Sequence, residues 1–552
     1  MRQKRADILV IIFTVTLLLG GAPPASAAQE ETLPAFHWSY AVIDHLRLRG
    51  YFHDLFLSQR PFTRGTIARS LLRVQQDVDA SRIQPSRSDR WLLDQLDREF
   101  VDERQQLSDS TATYWLKTGF FGTLDGVYNA PELAGSGLVH YGLLRAGARA
   151  REGVRYTFSL GLGTHWTLYN VTRFDRNLID DPTYVGKQFK GTTGFTEQAY
   201  VQTQYGPVRF KLGRDFLSLG PGKSGHLTLS NNAGAFDLYQ VEFAASFLKF
   251  TAFGAQLDET ATDSLFVPGQ GPANPAHRFL NGHRLDIKIG RWAQIGLTEL
   301  VLYGGLRRSF ELAYVNPVNF YHSVALNDEA ALGRPANVLA SVDLALFPVK
   351  NVKLYSELLI DDVKVEKVNL SDLEPNRIGL IAGLSYANPL GLGGFNLHTE
   401  YARVSNRTYN VYFNDWERYL HRNRPTGYFL GNNVDRFEIG GEGWVTRGLH
   451  LASSYEHLRQ GKDNINSPYN TDYLNVPSID LGYSEPFPFG PVQRTHALNL
   501  SIKFVPSIDI RVQADLRLAK VTNFAFTGVN RNQVQLFKVG VSLNYDHIWK
   551  WK

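Results

Sequence analysis

Residues 493–519, QRTHALNLSIKFVPSIDIRVQADLRLA, read as two strands joined by a tight turn at Val505-Pro506. On the first strand Leu498, Leu500, Ile502 and Phe504 alternate with Ala497, Asn499, Ser501 and Lys503. On the second, Ile508, Ile510, Val512, Ala514, Leu516 and Leu518 alternate with Asp509, Arg511, Gln513, Asp515 and Arg517. A strand sends successive side chains to opposite faces, so one face is apolar and the other carries five charges. A dry sandwich core is excluded, because unpaired buried charge costs too much. A soluble sheet with one wet face and a transmembrane barrel with a polar lumen both remain, and one hairpin does not separate them.

Repetition does. From Ala112 the pattern predicts strands at 112–122, 138–149, 153–168, 196–206, 207–213, 235–244, 246–256, 283–291, 293–303, 337–347, 351–361, 377–387, 394–404, 434–444, 447–459, 493–504, 507–519 and 533–545, about 18 in all. Long connections follow the odd strands: 123–137, 169–195, 214–234, 257–282, 304–336, 362–376, 405–433, 460–492 and 520–532. Short ones follow the even strands, as at Ala150-Arg151-Glu152, Pro348-Val349-Lys350, Val445-Thr446 and Val505-Pro506. That alternation is the mark of a barrel with one elaborate rim and one plain rim. The expected fold is therefore an all-β transmembrane barrel over residues 112–552.

The amino end reads otherwise. Arg2, Lys4 and Arg5 precede the apolar run 8–19 and the segment Pro23-Pro24-Ala25-Ser26-Ala27-Ala28, the layout of a secretory signal over residues 1–27 with cleavage after Ala27. The run is far shorter than the roughly 20 residues of a spanning helix. No later stretch spans as a helix, so membrane insertion requires a closed barrel. Residues 34–106 form a small helical domain with apolar stripes Val42, Ile43 and Leu46; Ile67, Leu71 and Val74; and Leu92, Leu96 and Phe100. A Trp-x-Tyr, a Leu-x-x-x-Gly helix end and an Arg-Pro-x-x-Arg before a helix resemble an S-layer-homology-like module, which implies a cell-wall (peptidoglycan) contact. The plainer expectation is a periplasmic cap packed on the barrel.

Composition fits. Tyr (26), Phe (34) and Gly (48) are abundant, as interface girdles and tight turns require. Absence of Cys excludes disulfides and thiolate metal sites. A net charge of +5, partly from the signal, is too mild to argue for nucleic acid. No His pair sits at metal-ligand spacing, so neither metal nor cofactor is expected. Gly220-Pro221-Gly222-Lys223-Ser224 lacks the upstream Gly of a phosphate loop and the spacing of a nucleophile elbow. His226 reads as a hydrogen-bonded loop residue. No nucleophile–base arrangement is visible, and the chain is read as a non-enzyme.

The fuller segment runs Leu212-Gly213-Arg214-Asp215, Gly220-Pro221-Gly222, then Leu227-Thr228-Leu229-Ser230-Asn231-Asn232-Ala233. It resembles the Wzi-type capsule assembly proteins of the outer membrane, whose barrels carry a Gly-Arg…Gly-Pro-Gly…Leu-x-Leu-Ser-Asn-Asn-Ala stretch. Asn316-Pro317 after Leu312-Ala313-Tyr314 is a weaker match, and the chain departs from many barrels by ending Trp549-Lys550-Trp551-Lys552. The resemblance implies a lectin-like, monomeric factor that attaches capsular polysaccharide at the cell surface. From the residues alone, 214–234 reads as an ordered plug, with Gly and Pro in turns and Ser230, Asn231 and Asn232 bonding nearby backbone.

Sugar recognition is expected from Trp416, Arg418, Tyr419, His421, Arg422, Arg424 and Tyr428, with Phe429 beside them. Flat aromatics stack on pyranose rings, and Arg binds carboxylates bidentately, a pairing suited to an acidic polysaccharide. A girdle at the lipid headgroups is the competing reading. Tyr169, Arg173, Arg176, Phe320, Tyr321 and His322 are weaker candidates. The alternative function is a porin for ions or sugars carrying an amino-terminal wall-binding module.

Overall fold

The structure, a computed structural model, describes residues 30–35, 37–108, 114–129, 147–163, 165–176, 187–261, 275–329, 333–365, 367–507 and 509–551. The expected signal at 1–27 and most of the expected strand at 138–149 lie outside the described residues.

Four helices come first: α1 (Ser39–Leu48), α2 (Arg64–Asp79), α3 (Arg87–Glu99) and α4 (Val101–Ser108). Thr63 caps α2 by accepting from the Thr66 amide, and a Ser86–Asp89 capping box starts α3. The stripes read from the sequence converge: Ile43, Leu46, Ile67, Leu92, Leu96 and Phe100 are fully or almost fully buried in one apolar core.

Eighteen antiparallel strands follow. They are β1 (Tyr114–Asn129), β2 (Gly147–Leu162), β3 (Trp166–Asp175), β4 (Thr192–Tyr205), β5 (Val208–Asp215), β6 (Phe236–Ala244), β7 (Leu248–Gln256), β8 (Pro275–Ile289) and β9 (Ala293–Leu306), then β10 (Ala336–Leu346), β11 (Val352–Asp362), β12 (Arg377–Ala387), β13 (Phe395–Val404), β14 (Val434–Thr446), β15 (Leu449–Gly461), β16 (Val492–Ser507), β17 (Ile510–Phe524) and β18 (Val529–Trp551). Each pairs with its neighbour, and β1 pairs with β18 from Tyr114↔Trp551 to Asn129↔Leu536, which closes the barrel. The unusual carboxyl end is thus simply the end of the last strand.

The deciding hairpin forms in the expected sense. Leu498 pairs with Leu518, Leu500 with Leu516 and Phe504 with Val512, and Leu500, Ile502 and Phe504 are exposed on the outer wall. On the inner face Asn499 accepts from Arg517, which also bonds Glu456.

Several boundaries differ from expectation: β3 (Trp166–Asp175) straddles the expected strand 153–168 and the expected connection 169–195, β8 begins at Pro275 and not at 283, and Val445-Thr446 ends β14 with the turn at Arg447-Gly448. The strands run on until Ser507 pairs with Ile510, so the reversal does not lie at Val505-Pro506; the strand absorbs Pro506 at an irregularity in pairing between Phe504 and Ser507. Ala150-Arg151-Glu152 is not a turn but the middle of β2, paired with Gly126, Asp125 and Leu124. Glu152 is satisfied by Arg176; the strand runs on until Leu162 pairs with Trp166, just before Gly163, whose φ of +61° suits a residue without Cβ. The final connection is not long: β17 and β18 leave only 525–528, held by the Asn523 side chain accepting from the Gly528 amide.

The helices cover the end that carries the short turns. Arg47 donates to the Arg291 carbonyl (2.9 Å) and Arg49 to Asn351 (2.6 Å), while His45 and Asn396 share a 2.8 Å hydrogen bond.

Leu500→Arg, on the outer wall near mid-strand, is expected to lower barrel stability by about 2–4 kcal/mol. The same change at Leu390, exposed in a short turn, should cost little. Urea unfolding in lipid vesicles reads both.

Candidate functional site

The connection 216–235 turns into the lumen. Its first part pairs with the amino-terminal segment, Leu219 against Gln59 and Ser218 against Arg60, and the Gly220 amide donates to the Ser58 carbonyl at 2.8 Å. Pro221 accepts at its carbonyl from Lys353. The Gly-Pro-Gly-Lys-Ser turn does gather an anion, but the anion is the wall's own carboxylate. The amides of Lys223 (2.7 Å) and Ser224 and the Ser224 hydroxyl all donate to Glu400, and Lys223 pairs with Glu442 at 2.5 Å. A Cβ on Gly222 would sit 2.0 Å from the Gly225 carbonyl oxygen, so the turn admits only glycine there. One turn on, the Leu227 and Thr228 amides and the Thr228 hydroxyl donate to Glu357, which is fully buried. His226 departs from expectation: its Nδ1 is buried without a hydrogen-bond partner, and burial pulls its pKa down to about 3.

A second connection, 405–433, lies against the first. Ser230 donates its amide to the Thr426 carbonyl (2.7 Å) and its hydroxyl to the Gly427 carbonyl (2.6 Å). Asn232 donates to the Pro425 carbonyl, while Asn231 opens a short helical turn ended by Gly234 at φ +90°. Tyr409 and Tyr419, stacked at 5.3 Å, donate their hydroxyls to the Leu227 and Thr228 carbonyls. Leu227, Leu229, Tyr409, Tyr419 and Tyr428 are all fully buried in one apolar cluster that also includes wall residues Leu300, Leu302 and Ile381. Family-motif residues Gly220, Pro221, Gly222, Ser230, Asn231 and Asn232 therefore build an ordered plug.

The wall grips this second connection by its backbone. Arg278 on β8 is 2% exposed and donates to the carbonyls of Trp416 (2.7 Å), Arg418 (2.7 Å) and Leu420 (2.9 Å). Its remaining donor meets Asp258, which also bonds His421.

The sequence-predicted cluster is consequently split. Tyr419, His421 and Tyr428 are buried and pack the plug, so ring stacking on a sugar is not open to them. Trp416 is half-buried, and Arg418 is held by Asp415 (2.8 Å) and the Asn466 carbonyl. Arg422 and Asn423, both with positive φ, form the two-residue tip of a small hairpin pairing His421 with Arg424. That tip brings Arg422, with Arg424 beside it, to Arg214, itself bidentate with Asp237 (2.8 and 2.6 Å). Burial and then the positive field of Arg214 hold the Arg422 pKa below its usual value. Two separate segments thus make one arginine cluster.

Of the weaker candidates, Tyr169 and Tyr321 are buried. Arg173 pairs with Glu197 and Arg176 with Glu152. Phe320 is exposed, and His322 donates its amide to Glu299.

Sequence reasoning missed an aromatic edge on the same connection. Phe413 (83% exposed) meets Tyr412 edge-on at 4.2 Å, and Tyr412 meets Tyr469 at 5.7 Å. Arg407 lies over Tyr473 and pairs with Glu485. Tyr412 and Phe413 immediately precede the block chosen from the sequence, which was the available signal. Among the described residues no cluster of His, Asp and Glu is arranged to hold a metal.

A family described as capsule assembly protein Wzi matches residues 140–536. Among solved structures, Wzi of Escherichia coli, described as an outer-membrane protein involved in group 1 capsule assembly and a carbohydrate-binding β-barrel, matches with a TM-score of 0.59 at 14% identity, covering 94% of this chain and 99% of that one. OccD3 (OpdP) and OccK1 (OpdK) of Pseudomonas aeruginosa match with TM-scores of 0.43 at 11% and 12% identity, over 79% of this chain and 92% and 99% of theirs. No curated protein matches the chain.

Arg278→Ala is expected to free the second connection, raising hydrogen exchange of the 414–428 amides by at least about tenfold, since each charge-assisted bond contributes about 1.5–3 kcal/mol. Glu417, buried in the same segment, has its pKa raised to about 7 by burial. Its stabilising neutral form is present in full below the ordinary carboxylate pKa and is lost as pH rises through about 7. Exchange at 414–420, corrected for the intrinsic rate, should be slower at pH 5 than at pH 8, and Glu417→Gln should remove the difference.

Proposed function

The chain belongs to the capsule assembly protein Wzi family, and from that premise we propose that this outer-membrane barrel binds a surface or capsular polysaccharide and helps hold it as a layer on the cell. The observation that carries this reading is the plug: two connections bonded to each other and to the wall fill the lumen with buried Leu227, Leu229, Tyr409, Tyr419 and Tyr428. A polymer then meets the protein at the elaborate rim, not through an axial channel, which favours binding over the porin alternative.

At that rim the exposed Tyr412 and Phe413, backed by half-buried Tyr469, offer ring faces, and Arg214, Arg422 and Arg424 offer guanidinium groups to carboxylate or phosphate substituents. Trp416 and Arg418 support this surface from beneath. The polymer is acidic on this reading, and the chain acts by binding, as a monomer, with no catalytic step. Weak contacts of about 1–3 kcal/mol each multiply along a repeating polymer. Residues 1–27 act as the export signal, cleaved after Ala27. The barrel sits in outer-membrane lipid, and residues 34–106 face the periplasm, where contact with peptidoglycan would anchor it from below.

Replacing Tyr412, Phe413 and Arg422 together by Ala is expected to release polymer from cells into the medium while the barrel keeps its heat-modifiable migration. Unchanged retention would remove this site. In planar bilayers the protein should be nearly silent; a large steady conductance would favour the porin reading.

A further inference from the structure

The opposite end of the barrel holds a second arrangement that the rim does not use. β14 to β17 place Trp444, His450, Lys503 and Gln513 in one cross-strand row: Trp444 pairs with His450, His450 with Lys503, and Lys503 with Gln513. The adjacent Val445, Ile502, Phe504 and Val512 are exposed on the outer wall, so this row faces inward. Against it α1 and α3 set His45, Trp91 and Gln95, with Trp38 just before α1. Between them lies a cavity of about 190 Å³, also lined by Arg511. Trp91 meets Trp444 edge-on at 4.9 Å, Trp444 meets His450 at 5.0 Å, and Arg511 lies 5.9 Å from the centre of the Trp38 ring. Trp91, Gln95 and Val505 continue into an open cleft past Arg447 and Ser507, which gives the cavity a mouth.

Its polar groups are out of balance. Lys503 and Arg511 form no ion pair among the described residues. The acids at the cavity itself are already engaged: Glu442 in the wall is held by Lys223 at 2.5 Å, Asp89 by Arg49 at 3.1 Å, and Glu99, the acid acting on Arg511, by Arg64 at 2.9 Å, while Asp94 lies out in the cleft, exposed. Three ring nitrogens of the lining, Trp38 Nε1, His45 Nε2 and His450 Nδ1, are buried with no hydrogen-bond partner. Buried polar groups of native proteins are ordinarily satisfied, so this many in one small cavity point to an occupant with oxygen atoms to offer. The cations ask that one of those oxygens be anionic, and the tryptophans ask for an apolar ring face.

We propose that this seam between helices and barrel is a saccharide subsite for a single pyranose unit bearing a carboxylate. The carboxylate meets Lys503 and Arg511, the ring lies against Trp91 and Trp444, and the hydroxyls meet the ring nitrogens and the amides of Gln95 and Gln513. The cavity is smaller than the roughly 300–1,000 Å³ of drug-sized sites, which suits one ring with the next unit leaving through the cleft. A uronate of an acidic surface polymer and the N-acetylmuramate of wall glycan stripped of its stem peptide share this chemistry.

The test titrates the full chain in detergent micelles with D-glucuronate, D-glucose and N-acetylmuramate, read by saturation-transfer NMR. Saturable binding of an acidic sugar is expected, with glucose at least about tenfold weaker. Lys503→Gln combined with Arg511→Gln should weaken the acid by about tenfold or more. The titration is repeated with Tyr412, Phe413 and Arg422 replaced together by Ala, which removes the rim contribution; acid binding that survives there and falls with the Lys503→Gln and Arg511→Gln pair belongs to the seam, so failure here is distinct from failure of the rim site. Stronger binding of N-acetylmuramate assigns the site to the wall, and stronger binding of glucuronate to the surface polymer. Absence of binding by either acid, equal binding of glucose, or an unaffected double variant overturns the proposal. Should the double variant lose its heat-modifiable migration, the unaltered protein decides: affinity for the acid must fall with rising salt, and salt-independent binding overturns the proposal equally.

Discussion

Charge that is fully buried in this barrel must be met by other protein groups, and much of the structure follows from how it is met. Arg284 is fully buried and bonds Asp286, Asp343 and Thr298. Glu456, fully buried, lies between Arg436 (2.6 Å) and Arg517 (2.6 Å). A pair broken at such a place leaves an ion with no solvent to return to, a cost of about 3–5 kcal/mol. Where the wall has no cation to offer a carboxylate, the plug supplies N–H and O–H groups instead: Glu357 and Glu400 are met by amides and hydroxyls of 223–228. The plug is therefore part of the electrostatic solution of the wall. Its removal would strand buried carboxylates as well as expose leucines.

This explains which parts of the fold were legible. Period-two alternation survives in the outer row, where Leu498, Leu500, Ile502 and Phe504 face the apolar surround, so strand number and most strand positions follow from it. Turn positions do not. Ala150-Arg151-Glu152 carries the charge of a turn yet sits in β2, because Glu152 finds Arg176 across the strand end. Pro506 is a breaker by rule, yet β16 continues past it by shifting register, with the Val505 amide still donating to the Gly448 carbonyl. Residues 520–524 look polar enough for a loop, but Thr522 and Lys520 pair with Arg494 and His496 of β16.

The site was legible as a place but not as a set of roles. The block 414–424 does lie on a lumen-filling connection near Arg214, and the chain neighbours Tyr412 and Phe413 do reach solvent. Which aromatic faces outward is decided by partners far away in sequence: Tyr409 and Tyr419 are drawn inward by the carbonyls of Leu227 and Thr228, and no local pattern encodes that. Arg278 fell in a segment read as loop, so its inward position and its three carbonyl partners were invisible. The row Trp444, His450, Lys503 and Gln513 spans four strands and exists only once their register is known.

The way the wall holds the plug separates holding from binding. Glu357 and Glu400 grip amides, and Arg278 grips carbonyls, atoms that every residue type provides. The conformation of both connections is thus specified mainly through backbone, with glycine obligatory only where a Cβ would collide, as at Gly222. Exposed side chains such as Phe413 carry little of that load, and substitutions at such surface positions usually change stability by no more than about 0.5 kcal/mol. A rim built this way can alter the chemistry it presents to a polymer while the plug and barrel beneath it stay as they are. The arginine cluster is the intermediate case: Arg214 both closes the top of β5 against Asp237 and faces outward beside Arg422, so a change there trades anion recognition against the junction of wall and plug.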